Sequence, residues 1–294
     1  MSTRRRSHLR RPHGLSINRM LPNILTMVAL CAGLTSIRFA LQAHWEAAVA
    51  AIFVAALLDG VDGRIARAIG KTSKFGGEFD SLADMVSFGV APALLLYLWA
   101  ESAAGPLGWI AVLIYTICAA LRLAKFNAGQ AETDDRPAWV SGYFIGIPSP
   151  AAAGLVMVPL LISFEFGAGL WSDPIVVGLW AVFIAAMMVA PIPTFSMKSA
   201  RVPHDYMLPV LIVVGLFVAS LVSAPWPTML ILGLIYVATI PASIKRFRRL
   251  TREMPVPVQR APGNGKGEAG DDTPGPDDNG PGATVFSLRR RGDE

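Results

Sequence analysis

The chain has 294 residues, 53% of them hydrophobic and only 16% charged, with a mean hydropathy of +0.48. Soluble domains carry about 25% charged residues, so a water-soluble globule is excluded and an all-α, polytopic membrane protein is expected. The formal net charge of +5 then concerns topology and anionic headgroups, and no nucleic-acid partner is expected.

The basic N-terminal arm, residues 1–17, is followed by a full-length apolar run, not by a short core with a small-residue cleavage site, so it does not read as a signal peptide. Apolar blocks of about twenty residues suit a ~30 Å hydrocarbon core. They predict eight membrane helices, over 21–41, 46–69, 78–100, 106–127, 145–165, 173–194, 207–224 and 226–246. Six spans remain the alternative if the last pair is reassigned. Lys and Arg collect in the arm and after spans two (Lys71, Lys74), four (Lys125, Arg136), six (Lys198, Arg201) and eight (Lys245, Arg246, Arg248, Arg249). The intervening connections carry none, with Arg38 near the end of span one as the exception. Both termini are therefore expected in the cytoplasm. Cys31 and Cys118 each lie inside an apolar run without metal-ligand spacing and read as packing residues. Residues 251–294 form a tail rich in Pro, Gly and Asp, which cannot bury enough apolar surface to fold.

The second and third spans contain what the rest of the chain lacks. "LLDGVDGRIARAIGKTSKFGGEFDSLAD", residues 57–84, places Asp59, Asp62, Asp80 and Asp84 in or beside apolar helix. At 100° per residue, Asp59 and Asp62 share one face, and so do Asp80 and Asp84 on the next helix. A glycine-containing loop near 70–77 (Gly70, Gly76, Gly77) lets the two helices run antiparallel, so the acidic faces can converge. An Asp in a membrane helix costs roughly 2.5–3.5 kcal/mol, so four uncompensated ones would cost on the order of 10 kcal/mol. Arg64 and Arg67 can offset part of this. A divalent cation offsets more, and an all-oxygen carboxylate set suits Mg²⁺ or Mn²⁺. Gly63 and Ala66 leave room for a bulky group against the backbone. Arg67 can fork onto phosphate oxygens, and Ser73 adds a hydroxyl. A nucleotide diphosphate at a membrane surface fits these residues together.

Asp59, Asp62, Gly63, Ala66, Arg67, Gly76, Asp80 and Asp84, in that register, resemble the signature of the CDP-alcohol phosphatidyltransferases at every fixed position. The resemblance implies a six-helix catalytic core, 18–205, followed by two further spans over 206–250. It implies that Asp59, Asp62 and Asp80 hold one divalent ion, that Asp80 and Asp84 serve a second, and that Asp84 is the base for the acceptor hydroxyl. It also implies Gly63, Ala66, Arg67, Ser73 and Gly76 around CDP-diacylglycerol. "LPNILT", opening span one, is similar to the family's stretch near the nucleotide and adds Asn23 and Thr26, which otherwise cap that helix. "RLAKFN" (122–127), "FIGIPSPAAAG" (144–154) and "PIPTFSMKSAR" (191–201) look like bacterial phosphatidylserine synthases.

The reaction implied by this resemblance is transfer of the phosphatidyl group from CDP-diacylglycerol to L-serine, giving phosphatidylserine and CMP, in a bacterial inner membrane and in a homodimer. Arg122, Lys125, Lys198 and Arg201 are candidates for the serine carboxylate, with Arg122 and Lys125 on one helix face. The alternatives are another acceptor (glycerol 3-phosphate, an inositol phosphate or choline) and, from a different class, a cation- or proton-coupled transporter. The acids occur on two adjacent helices and are not repeated in the second half, which disfavours a two-fold transporter.

Overall fold

The computed structural model describes residues 17–69, 74–131, 143–190, 193–195 and 207–253. Helices α1 (Ile17–Leu41) and α2 (Trp45–Ile69) form a long hairpin, closed by a short turn in which Ala43 takes φ 56°. The third span is one helix in three parts: α3 (Lys74–Asp84), a π-helical turn (Met85–Val90) and α4 (Ala91–Trp99). Helix α5 (Pro106–Ala131) returns. Helices α6 (Ser149–Val156) and α7 (Val158–Phe166) make one kinked span, and α8 (Pro174–Val189) packs along α5. Helices α9 (Met207–Ser223) and α10 (Pro225–Glu253) complete the bundle. Eight helical segments thus stand among the described residues, where eight were expected.

Among the described residues, four spans are long and apolar enough to cross a membrane: Met20–Leu41, Phe75–Trp99, Pro106–Ala128 and Ser149–Phe166. The apolar helices Pro174–Val189, Leu208–Ser223 and Pro225–Pro241 are shorter. Helix α2 has the length, 25 residues, but carries Glu46, Asp59, Asp62 and Arg64. The surface pattern is that of a protein solvated by lipid. Leu113, Ile117 and Leu121, one turn apart on α5, are exposed, as are Leu179 and Phe183 on α8. A water-soluble monomer rarely shows such contiguous apolar faces. Inside, small residues dominate the helix contacts: Ala48, Ala55, Ala91, Ala119, Ala152 and Ala185 are fully buried. Lipid tails are as apolar as leucine, so close van der Waals approach between helices replaces the hydrophobic effect as the attraction, and small side chains permit it. The chain is a polytopic helical membrane protein.

Several boundaries differ from expectation, among them the end of span eight, which α10 carries to Glu253 instead of 246. Span five begins at Ser149, not 145, and span six ends at Val189, not 194, because the chain just before the one and just after the other pairs as a two-stranded antiparallel ribbon. Strand β1 (Tyr143–Ile145) pairs with β2 (Pro193–Phe195), Phe144 opposite Thr194. Proline explains this: Pro148 and Pro193 lack the N–H that a continuing helix needs. Gly76 and Gly77, expected in a loop, lie in the first turn of α3. The N-terminal arm and the tail from 254 lie outside the described residues.

Gly146 turns the chain from β1 into α6 at φ +82°, and a Cβ there would lie 2.2 Å from the Met188 carbonyl oxygen. Gly146→Ala is expected to destabilise the fold by about 2 kcal/mol through left-handed strain and overlap. That corresponds to roughly 4–8 °C in the thermal midpoint, measurable by circular dichroism in detergent.

Candidate active site

The four aspartates come from the facing ends of two helices. Carboxylate oxygens of Asp59, Asp62 and Asp80 lie within 4.8 Å of one another. Asp84, one turn after Asp80 on α3, meets Asp59 across the helix interface. Asp62 is 3% exposed and the other three are half-buried. Oxygens that share a cation at about 2.1 Å can stand at most about 4.2 Å apart, so a small inward rotation of these side chains suffices to hold one. The donors are all carboxylate oxygen, the set favoured by hard divalent ions.

Helix α1 supports the cluster from behind. Thr26, 5% exposed, donates its hydroxyl to Asp62 Oδ2 at 2.9 Å, with the Pro22 carbonyl as the alternative acceptor at 3.1 Å. This bond fixes the carboxylate of the most deeply buried acid. Asn23 is half-buried one turn earlier on the same helix.

Of the two arginines expected to offset the acids, the Arg67 side chain lies outside the described residues. Arg64 is exposed; two residues from Asp62, it points some 200° away around α2. Among the described side chains the compensating cation is Arg122 of α5, whose guanidinium lies within electrostatic reach of Asp84 and Asp59. Its Nη1 donates to the Ser149 hydroxyl at the start of α6, while Nε is buried without a hydrogen-bond partner among the described residues. Lys125 shares that side of the helix in sequence but is exposed. Farther along α5, Asn127 Nδ2 donates to Ser81 Oγ at 2.9 Å, tying α5 to α3 beside Asp80.

Gly63 is half-buried next to Asp62, and Gly76 is half-buried in α3. The backbone of Ala66 and Arg67 continues α2. Ser73, Lys198 and Arg201 lie outside the described residues. Two participants escaped the sequence reading. Ser149, between Pro148 and Pro150, was visible only as part of a helix entry, and Asn127 only as the end of a basic motif; neither spacing reveals a partner on another helix.

Residues 19–244 match the CDP-alcohol phosphatidyltransferase family. The chain belongs to this family. Among curated members it is similar to a CDP-diacylglycerol–serine O-phosphatidyltransferase of Mycobacterium leprae, with 42% identity over 250 residues, 85% of this chain and 81% of that one. The Mycobacterium tuberculosis (strain H37Rv) protein of the same name is 39% identical over 233 residues, 79% of this chain and 81% of that one. The Bacillus subtilis protein of that name is 34% identical over 183 residues, 62% of this chain and 94% of that one. The family match runs from α1 into α10 and encloses the whole acidic cluster.

Thr26→Val keeps the shape and removes the proton offered to Asp62. Leaving that buried acceptor unsatisfied is expected to cost about 1–3 kcal/mol, read as a lowered thermal midpoint in detergent. Thr26→Ser, which restores the hydroxyl, recovers most of it.

Proposed function

We propose that the chain transfers the phosphatidyl group of CDP-diacylglycerol to L-serine, releasing CMP and leaving phosphatidylserine in the membrane. The observation that carries the reading is the convergence of Asp59, Asp62 and Asp80 within 4.8 Å, with Asp84 against Asp59, inside a membrane protein. Identities of 39–42% to serine-specific family members, over about four-fifths of both chains, favour serine over other acceptors.

In this reading Asp59, Asp62 and Asp80 hold one divalent ion, and Asp80 and Asp84 contribute to a second, Mg²⁺ or Mn²⁺. When bound, such ions neutralise the diphosphate and polarise its phosphoryl oxygens. Asp84 accepts the proton of the serine hydroxyl as that oxygen bonds to the β-phosphorus and the bond from phosphorus to the CMP oxygen breaks. Thr26 orients Asp62. Gly63, Ala66 and Gly76 leave room for the cytidine diphosphate, with Asn23, Arg67 and Ser73 as its polar contacts. Arg122, held by Ser149 and with guanidinium donors still to use, is the first choice for the serine carboxylate. A bidentate fork suits a carboxylate better than a lysine does. Lys125, Lys198 and Arg201 are the further candidates for this pocket.

The acyl chains stay in lipid while the headgroup enters from the side. We place the protein in a bacterial inner membrane with both termini cytoplasmic, which the Lys and Arg clusters at alternate connections support, and as a homodimer, on family resemblance. The catalytic core is 18–205; residues 206–250 add two helices, the arm is 1–17 and the tail 251–294.

Purified protein supplied with CDP-diacylglycerol and Mn²⁺ or Mg²⁺ is expected to release CMP with serine, and not with glycerol 3-phosphate, an inositol phosphate or choline. CMP release with one of those in place of serine overturns the acceptor assignment; none with any of them overturns the reaction.

Asp84→Asn is expected to lower turnover by at least about two orders of magnitude, the contribution typical of a general base. CDP-diacylglycerol binding should be largely retained. Near-normal CMP release from this variant removes Asp84 from its role.

A further inference from the structure

Asp84 is the last residue of α3, and the π-helical turn begins at the next residue. The cause of the turn is Pro92. It has no N–H to give the Phe88 carbonyl four residues earlier, and in a regular α-helix its ring would press against that carbonyl. The chain widens instead: the Ala91 N–H bonds to Val86 O, five residues back. A π-turn takes up about one extra residue, so the helix beyond it is rotated by roughly 100° relative to the helix before it. Helix α4 can then bury Ala91, Leu95 and Leu96 while α3 keeps Asp80 and Asp84 turned toward α2.

A widened turn leaves carbonyls to be satisfied, and α5 supplies donors. Tyr115, 0% exposed, donates its hydroxyl to Phe88 O at 3.1 Å, and Thr116 Oγ1 makes a longer contact of 3.5 Å with Gly89 O. From the opposite side α1 closes in. Ser87 Oγ reaches Ala29 O at 3.5 Å, and a Cβ on Gly33 would stand 2.8 Å from Ser87 Cα. The turn is clasped between a hydroxyl on one helix and a missing side chain on another. Two turns beyond Tyr115, α5 presents Arg122 to Asp84, so one helix face holds both the turn and the charge opposite the acid.

We propose that Tyr115, by capping the carbonyl that Pro92 leaves open, is a positioning residue that sets the register of Asp84 in the acidic cluster. The inference rests on the reading of those acids as a divalent-metal site. It assigns Tyr115 no contact with substrate.

The test uses the full chain in lipid nanodiscs without substrate, with Mn²⁺ binding followed by electron paramagnetic resonance and hydrogen exchange followed over residues 85–93. Tyr115→Phe keeps the ring and removes the donor. It is expected to speed exchange across the turn and weaken Mn²⁺ binding about tenfold, the low end for a residue supporting a metal ligand, with the thermal midpoint lowered by a few degrees, as the loss of one buried hydrogen bond entails. Pro92→Ala gives the Phe88 carbonyl an internal donor. In that background Tyr115→Phe should therefore add nothing. Unchanged exchange and Mn²⁺ binding in Tyr115→Phe overturn the proposal, and so does an equal further loss in the double variant. Asp80→Asn tests the metal reading separately. If the wild type and Asp80→Asn bind Mn²⁺ alike, that reading fails, while the exchange data still decide whether Tyr115 holds the turn.

Discussion

The structure depends on keeping four carboxyl groups inside a membrane protein. Each alone would be costly in hydrocarbon, and side by side they repel. They persist because they face one another across α2 and α3 instead of facing lipid, and because neighbouring helices supply what they need: the Thr26 hydroxyl to Asp62 and the Arg122 guanidinium toward Asp84 and Asp59. The remaining negative charge makes the site a natural place for a divalent cation. Chemistry on a diphosphate needs the same charge balance, which connects the energetic problem to the function.

Helix packing brings these groups to one place with little polar glue. Between α1, α2, α4 and α5 half of the buried core positions are alanine, so the backbones come close there. Where the regular geometry fails, at Pro92, the irregularity falls beside the acidic site and its open carbonyl is capped from α5. Helix ends are handled similarly: Asp173 accepts from the N–H groups of Ile175 and Val176 to start α8, with Pro174 in the first turn where no donor is missed. The ribbon of β1 and β2 satisfies backbone groups that prolines exclude from helix.

Much of the site is legible in the amino-acid sequence. Asp59, Asp62, Asp80 and Asp84 declare themselves because carboxylates are rare in apolar helix and their spacing matches the helical period, a local property. Their compensation is not legible there. Arg64, beside the acids in sequence, is turned away, whereas Arg122, some forty residues downstream, faces them. Thr26 is visible only through its motif, with a helix cap as an equal explanation, and its bond to Asp62 joins residues 36 apart. The π-turn is invisible because a single proline in an apolar run is compatible with a kink, a break or a widened turn.

Hydropathy and helical periodicity, properties of neighbouring residues, determined by themselves that this chain forms about eight apolar helices and that its acids share faces on two of them. The tertiary structure alone decided which hydroxyl, which guanidinium and which tyrosine meet those helices. Such contacts depend on how helix surfaces interdigitate, and interdigitation is set by the summed shapes of many small side chains, which no local spacing encodes.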